Sequence, residues 1–93
     1  MDSRWKEMTE PNVKIKYYAA LRSKAGAEID ECRAARVKDA LSCVRKKHSH
    51  EFGRVLNSCH IFLNHDNIAF LHGPNTKLKD GDVLHILPPT GGG

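Results

Sequence analysis

The chain has 93 residues, a formal net charge of +4, 40% hydrophobic residues and 28% charged residues. This length predicts one domain, since chains use roughly 100–200 residues per domain, and the composition is that of an ordinary soluble globular protein. No apolar run approaches the ~18–20 residues of a membrane span, and the polar start MDSRWKEMTE lacks the apolar stretch of a signal peptide, so a cytoplasmic protein is expected.

The first elements predicted along the chain are two strands. Residues 1–12 are polar and are predicted to form a flexible leader. The segment VKIKYYA (residues 13–19) then alternates between apolar and polar residues, which predicts a strand covered on one face. LRSKAG predicts a bend with Gly26 at a positive φ angle, and AEIDECR (residues 27–33) predicts a second strand that pairs back as a hairpin. The core face of the first strand carries Val13, Ile15 and Tyr17, and the other face carries Lys14, Lys16 and Tyr18.

A helix is predicted from Val37, because from there apolar residues recur every three or four positions instead of every two. Cys43 lies off the apolar face of this helix and is interpreted as a small packing neighbour rather than a nucleophile. Residues 52–56 predict a further short helix. The apolar face of the main helix consists of Val37, Ala40, Leu41 and Val44.

The alternation of apolar and polar residues returns after the predicted helices. Ile61 and Leu63 are predicted to share one face of a strand, with Phe62 on the opposite face. Residues 64–67 favour a turn, and residues 68–71 predict a short strand. A DG turn at residues 80–81 then precedes the last strand, residues 83–87. In that strand Leu84 and Ile86 face one way, and Val83, His85 and Leu87 the other.

The predicted order β-β-α-β-(β)-β belongs to the α+β class. One main helix can cover only one face of a sheet of four or five strands, so the second face is expected to stay open. The domain is expected to span residues 13–87, and PPTGGG (residues 88–93) to form a flexible C-terminal tail. Two prolines stiffen the start of this tail, and three glycines leave its end without side chains.

Neither a metal site nor nucleic-acid binding is favoured by the residue pattern. The chain has an odd number of cysteines, and none of them has CxxC spacing, so no disulfide framework or structural zinc site is expected. They are Cys32, Cys43 and Cys59. The histidines also lack zinc-ligand spacing. Basic residues concentrate early in the chain, including RKKHSH (residues 45–50), but no aromatic residues interleave with that run. An RNA-contacting module therefore stays an alternative only.

Four stretches together resemble the MoaD/ThiS family of ubiquitin-like β-grasp sulfur carriers, and most closely its molybdopterin synthase small-subunit type. They are VKIKYYAALRSKAG, VKDAL, IFLNHDN and LKDGDVLHILPPTGGG, and the likeness covers nearly the whole chain from residue 13. Two departures are His65-Asp66, where Gly-Glu is usual, and Gly91, where Ser or Ala is frequent. The Pro-Pro before the final glycines favours this type over other Gly-Gly carriers.

The resemblance implies a ubiquitin-like β-grasp fold, with a mixed sheet and one main helix packed on one face. It also implies that the carboxylate of Gly93, preceded by Gly92, is adenylated and then converted to a thiocarboxylate that donates sulfur for molybdopterin. The implied partners are an E1-like adenylating and sulfurtransferase enzyme, which consumes ATP and leaves a transient AMP adduct, and the larger molybdopterin synthase subunit. No bound cofactor, catalytic residue of its own or membrane is implied.

The partner-binding residues are expected on the uncovered face and along the tail. An apolar cluster beside a functional terminus is a plausible docking surface, although Phe62 could instead pack under a loop. Two alternatives use the same Gly93: a ubiquitin-like protein modifier, and a sulfur carrier for tRNA thiolation. The residues expected to contact partners are Phe62, His85, Leu87, Pro88, Pro89, Thr90 and Gly91.

Overall fold

Five strands pair into one mixed sheet in the computed structural model, which describes residues 9–89. The sheet order is β2-β1-β5-β3-β4. Helices pack on one face of this sheet, so the α+β class with a helix-covered sheet is confirmed. The strands are β1 (Asn12–Tyr17), β2 (Ile29–Arg33), β3 (His60–Leu63), β4 (Asp66–Asn67) and β5 (Val83–Leu87), and the helices are α1 (Ala20–Ala25), α2 (Val37–Lys47) and α3 (His50–Leu56).

Strand β1 lies inside the sheet and connects its two halves. It pairs antiparallel with β2, as predicted, and parallel with β5, which in turn pairs antiparallel with β3. The alternation in β1 gives the predicted faces, because Val13, Ile15 and Tyr17 are fully buried whereas Lys14 is exposed. The same alternation holds in β5.

The apolar face of α2 packs against the sheet. All four apolar residues predicted for this face are buried, and the helix begins at Val37 as expected. Helix α3 follows after Ser49, whose side-chain oxygen accepts a hydrogen bond from the Phe52 backbone amide and so satisfies one free donor of the first turn. The largest fully buried side chains of the resulting core are Tyr17, Phe52, Ile15, Leu21, Leu84, Ile86, Val13, Val37 and Val44.

The segment LRSKAG was predicted to bend, and that prediction was wrong. It lies mostly in α1, a helix of six residues that ends at Gly26 with φ 72°. Gly26 has the predicted positive φ, but as the left-handed cap of a helix. The helix forms because Leu21 can then enter the core, where it is 1% exposed.

The short strand predicted over residues 68–71 is also absent. Ile68–Phe70 forms a 3-10 helix instead, because the Asn67 side-chain oxygen accepts a hydrogen bond from the Ala69 backbone amide. The short strand at this edge is β4, which lies immediately before. Phe70 consequently points into solvent and is 86% exposed.

The predicted leader lies partly outside the described residues. Hydrogen bonds connect its described part to the rest of the domain. The backbone oxygen of Glu10 accepts from the Arg33 side chain, and that of Pro11 accepts from the Ala34 amide. Strand β1 then begins at Asn12.

Cys32 of β2 and Cys43 of α2 form a disulfide, which corrects the expectation of no disulfide framework and of Cys43 as a small packing neighbour. The two residues are 11 positions apart, and the packing of α2 on the sheet brings their Cα atoms to 6.3 Å. This distance lies in the usual range for a disulfide. Rules based on CxxC spacing cannot detect such a pair, because the contact is created by tertiary structure. Cys59 is free and half-buried.

Alkylation should reveal this pairing in protein purified without reductant. Iodoacetamide under denaturing, non-reducing conditions is expected to label Cys59 alone, and to label all three cysteines after reduction. Reduction should also lower the free energy of unfolding by about 2–3 kcal/mol, since the cross-link restricts the unfolded chain. A Cys59→Ser variant is the control. Labelling of Cys32 and Cys43 before reduction would contradict the assignment.

A hydrogen-bonded network joins β1, β2 and the end of α2. The Tyr17 hydroxyl donates to Asp30 Oδ2 at 2.7 Å, and His48 Nε2 lies 2.7 Å from the same oxygen. Burial raises the pKa of Asp30, but hydrogen bonds from His48 and Tyr17, with the charges of His48 and Lys47, outweigh burial and hold this pKa below its usual value. Burial, the hydrogen bond to Asp30 and its charge raise the pKa of Tyr17.

This network predicts that the free energy of unfolding decreases at acid pH. The folded-state pKa of Asp30 lies below its unfolded value of about 3.9. Its stabilisation is therefore complete above that value and is lost as the pH falls through the folded-state pKa. Asp30→Asn should lower the free energy of unfolding at pH 7 by about 1–3 kcal/mol.

Urea titrations between pH 2 and pH 7 would measure this effect. The difference between wild type and Asp30→Asn should shrink at the acid end, because protonation removes the charge from the wild-type carboxylate. Glu31→Gln, at an exposed neighbour on the same strand, is the matched control and should leave the profile unchanged. A difference that stays constant across the range would contradict the role of the Asp30 charge.

Candidate functional site at the root of the tail

The turn before β5 determines where the tail begins. Asp82 Oδ2 accepts a hydrogen bond from the Lys79 amide at 2.7 Å, and Asn64 Oδ1 accepts one from the Val83 amide at 3.1 Å. Gly81 completes the predicted DG turn with φ 89°, a conformation that glycine adopts without a steric cost. These bonds fix the start of β5, so the strand leaves the sheet at its opposite end and leads directly into the tail.

The sheet face opposite the helices carries a row of side chains contributed by neighbouring strands. His85 of β5 lies opposite Phe62 of β3 and Lys16 of β1. Lys16 lies in turn opposite Ile29 of the edge strand β2, which is 48% exposed. Phe62 and His85 are half-buried. The face expected to stay open therefore carries accessible apolar and polar side chains.

The described residues among the predicted partner-binding set lie close together on this face. Phe62 and His85 are register partners, and Leu87 follows His85 on the same face of β5. Pro88 is half-buried and Pro89 is exposed directly after the strand. The remaining predicted site residues, Thr90, Gly91, Gly92 and Gly93, lie outside the described residues.

Two further residues of this face were not predicted as part of the site. The Tyr18 hydroxyl oxygen lies 2.6 Å from His85 Nδ1, and Lys16 Nζ lies 5.4 Å from the centroid of the Tyr18 ring. The second distance is within the range of a cation–π contact. The period of β1 had already placed both side chains on the non-core face. The missing information was the parallel pairing of β1 with β5. We call Lys16, Tyr18, Phe62, His85 and Leu87 the open-face cluster.

The electrostatic environment favours a neutral His85. Burial lowers the pKa of this imidazole, and the positive charges of Lys16 and His65 lower it further. Both effects disfavour the imidazolium ion. At neutral pH the ring therefore carries one nitrogen that accepts and one that donates a hydrogen bond.

Two kinds of reactive group were sought among the described residues, a metal-binding cluster and an activated thiol. No group of three or more His, Cys, Asp or Glu side chains that could hold a metal ion occurs between residues 9 and 89. Burial raises the pKa of the Cys59 thiol, which disfavours the nucleophilic thiolate. In the same stretch of chain, no helix is long and apolar enough to cross a membrane.

Part of the basic run at the end of α2 has an intramolecular role. The Arg45 guanidinium donates to Asn57 Oδ1 at 3.0 Å, and Lys47 Nζ donates to the backbone oxygen of Glu31 at 2.9 Å. These bonds tie α2 to the end of α3 and to β2. Two of the cations that suggested RNA binding therefore already have structural contacts.

Comparison with known proteins adds to this geometry. The sequence matches the ThiS family over residues 15–93. The structure is similar to small archaeal modifier protein 1 from Methanosarcina acetivorans, with 32% identity, a TM-score of 0.83 and coverage of 90% of this chain and 98% of that one. A putative molybdopterin converting factor subunit 1 from Pyrococcus furiosus is 28% identical, with a TM-score of 0.73 and coverage of 86% and 99%.

A third similar structure is a complex. A chain in the complex of subunits 1 and 2 of the molybdopterin-converting factor from Helicobacter pylori is 27% identical, with a TM-score of 0.66 and coverage of 88% and 99%. A search of curated proteins found no match.

The family match spans most of the sequence and every strand from within β1 onward, including the root of the tail. The chain therefore belongs to the ThiS family and has the β-grasp fold of its ubiquitin-like sulfur carriers.

Proposed function

We propose that this chain carries sulfur for molybdopterin, and hence for molybdenum-cofactor biosynthesis, on the carboxylate of Gly93. The observation that carries the proposal is the sequence PPTGGG, which directly follows the inner strand β5 in a chain of the ThiS family. Similarity to the putative molybdopterin converting factor subunit 1, and to the chain in the two-subunit complex, supports this pathway.

The proposed chemistry takes place on partner enzymes. A carboxylate is a poor electrophile, so an oxygen of Gly93 first attacks the α-phosphorus of ATP, pyrophosphate leaves, and an acyl-adenylate forms. A sulfide-level donor then displaces AMP and leaves a thiocarboxylate. That sulfur is transferred to the precursor in the larger synthase subunit, and water restores the carboxylate. ATP and AMP are held by the adenylating enzyme, and this chain contributes the acyl group.

The composition of the tail suits this chemistry. Gly92 and Gly93 have no Cβ, so they can enter a narrow channel and bring the carboxylate close to the reacting groups. Six residues extend at most about 20 Å from the sheet. Pro88 and Pro89 restrict the free chain, which reduces the entropy lost when a partner orders it.

The open-face cluster is the proposed docking surface for these partners. Phe62 and Leu87 supply apolar contact beside the start of the tail, and Pro88 and Pro89 extend that contact along it. Thr90 and Gly91 are assigned to the same interface because they follow within two residues. The use of ATP by the activating enzyme is consistent with a cytoplasmic location.

The charging reaction predicts a defined change in mass. Incubation with the adenylating enzyme, ATP and a sulfur donor should raise the intact mass by about 16 Da, because one oxygen is replaced by sulfur. A variant without Gly92 and Gly93, which no longer ends in Gly-Gly, should keep its fold by circular dichroism and gain no mass. Wild-type protein that gains no mass, while an established carrier is charged by its own enzyme, would contradict the proposal.

A ubiquitin-like protein modifier is the second candidate, and the 32% identity to small archaeal modifier protein 1 favours considering it. In that function Gly93 would form an isopeptide bond with a lysine of another protein. Both functions use the same adenylated intermediate. The mass experiment alone therefore does not separate them.

Conjugation can be detected by tryptic mass spectrometry. The last trypsin site before the tail follows Lys79, so wild-type conjugates would leave residues 80–93 on a target lysine. This wild-type remnant has a defined mass and can be searched for without altering the tail. The carrier function predicts no such remnant on cellular lysines. Remnants that disappear when Gly92 and Gly93 are both deleted would establish the modifier function instead.

A further inference from the structure

The Tyr18 hydroxyl contacts the Nδ1 nitrogen of His85. The hydroxyl oxygen of Tyr18 lies 2.6 Å from His85 Nδ1, and the two ring centroids are 5.7 Å apart. A neutral imidazole has one acceptor nitrogen and one N–H. When Nδ1 accepts the hydroxyl proton of Tyr18, the remaining proton is on Nε2. With the Tyr18 hydroxyl as the donor in this contact, His85 is an Nε2–H donor.

The surroundings of His85 favour its neutral form and place a positive charge nearby. Lys16 lies directly across from His85 in the sheet, and His65 is close enough to act on it electrostatically. Lys16 is half-buried over the Tyr18 ring and forms no ion pair within the described part of the chain. Lys16, His85 and Phe62 are thus neighbours across three adjacent strands of the same face.

A carboxylate is the group that this arrangement fits best. It can accept the Nε2–H of His85 through one oxygen and interact with the Lys16 charge through the other, and such charge-assisted bonds are about twice as strong as neutral ones. A backbone carbonyl would use the donor but gain little from the cation. An apolar side chain would leave both groups desolvated and unpaired, which is unfavourable.

We infer that the open-face cluster binds a partner protein that presents a carboxylate to His85 Nε2–H and Lys16, with Tyr18 as the positioning residue. The inference rests on the proposed function, since the partner is the enzyme that charges Gly93. It assigns to Tyr18 and Lys16 a role in choosing this partner. The apolar members of the cluster supply contact area, and the polar members supply the specificity.

Charging kinetics with the adenylating enzyme test the inference. Tyr18→Phe keeps the ring and removes the hydroxyl, and His85→Gln removes the imidazole. Each should raise the KM for the carrier about fivefold, the effect of one hydrogen bond, with kcat unchanged. Lys16→Gln should raise the KM by a similar factor at low salt and less at high salt. Lys14→Gln, at an exposed residue of the same strand and face, is the matched control and should have little effect.

The pH dependence distinguishes a carboxylate from other partner groups. A carboxylate beside His85 would raise the pKa of its imidazole in the complex, so wild-type binding should strengthen as the pH falls from 8 to 6. This gain should be absent from His85→Gln. In the free protein, nitrogen NMR should report an Nε2-protonated His85 in wild type and a more mixed ring in Tyr18→Phe.

Each outcome is decisive. Equal KM values for wild type, Tyr18→Phe and His85→Gln, with all of them gaining mass, would overturn this inference and leave the proposed function intact. A wild-type chain that gains no mass would remove both. A His85 protonated on Nδ1 alone, binding that is independent of His85 at every pH, or self-association of the chain through this face would also overturn the inference.

Discussion

The parallel pairing of β1 with β5 is the interaction on which the rest of the structure depends. It joins residues from the two ends of the described chain, with Lys16 in register with His85. It also places β5 between β1 and β3, so that the tail starts from an inner strand. Such a long-range contact closes a long loop, and this loss of entropy must be offset by the side chains that the pairing brings into the core.

The two faces of these strands have different tasks. On the covered face, Ile15 and Leu84 are opposite each other and completely buried. A buried side chain of this size contributes roughly 1.5–3 kcal/mol to folding. The open-face residues are only half-buried, so changing them should affect stability much less. This separation allows the open face to be adapted to a partner while the core stays the same.

Much of the fold could be predicted from local periodicity. The faces of β1 and β5 and the buried stripe of α2 depend only on whether apolar residues recur every two positions or every three to four. Phe62, His85 and Leu87 were placed on one face for the same reason. Two segments were predicted wrongly. A bend was predicted where a helix capped by Gly26 forms, and a strand was predicted where the Asn67 side chain favours a 3-10 helix.

Contacts between distant segments could not be predicted in this way. The Cys32–Cys43 disulfide and the Tyr18–His85 hydrogen bond both join residues on different elements, and their geometry follows from packing and strand register. Periodicity indicated that Tyr18 faces away from the core, but it carried no information on which strand lies beside it. Periodicity thus predicted which face of the sheet each site residue occupies. The contacts among Lys16, Tyr18 and His85 follow only from the pairing of β1 with β5.

The two prolines that follow β5 limit the ways in which any partner can hold the tail. Proline has no amide hydrogen, so neither Pro88 nor Pro89 can donate a ladder hydrogen bond to a strand laid beside it. Addition of the tail to a partner's sheet can therefore use backbone donors only from Thr90 onward. Over the first two residues the backbone offers only carbonyl acceptors, so packing against the proline rings becomes the main source of contact, and a groove lined with aromatic side chains suits such packing.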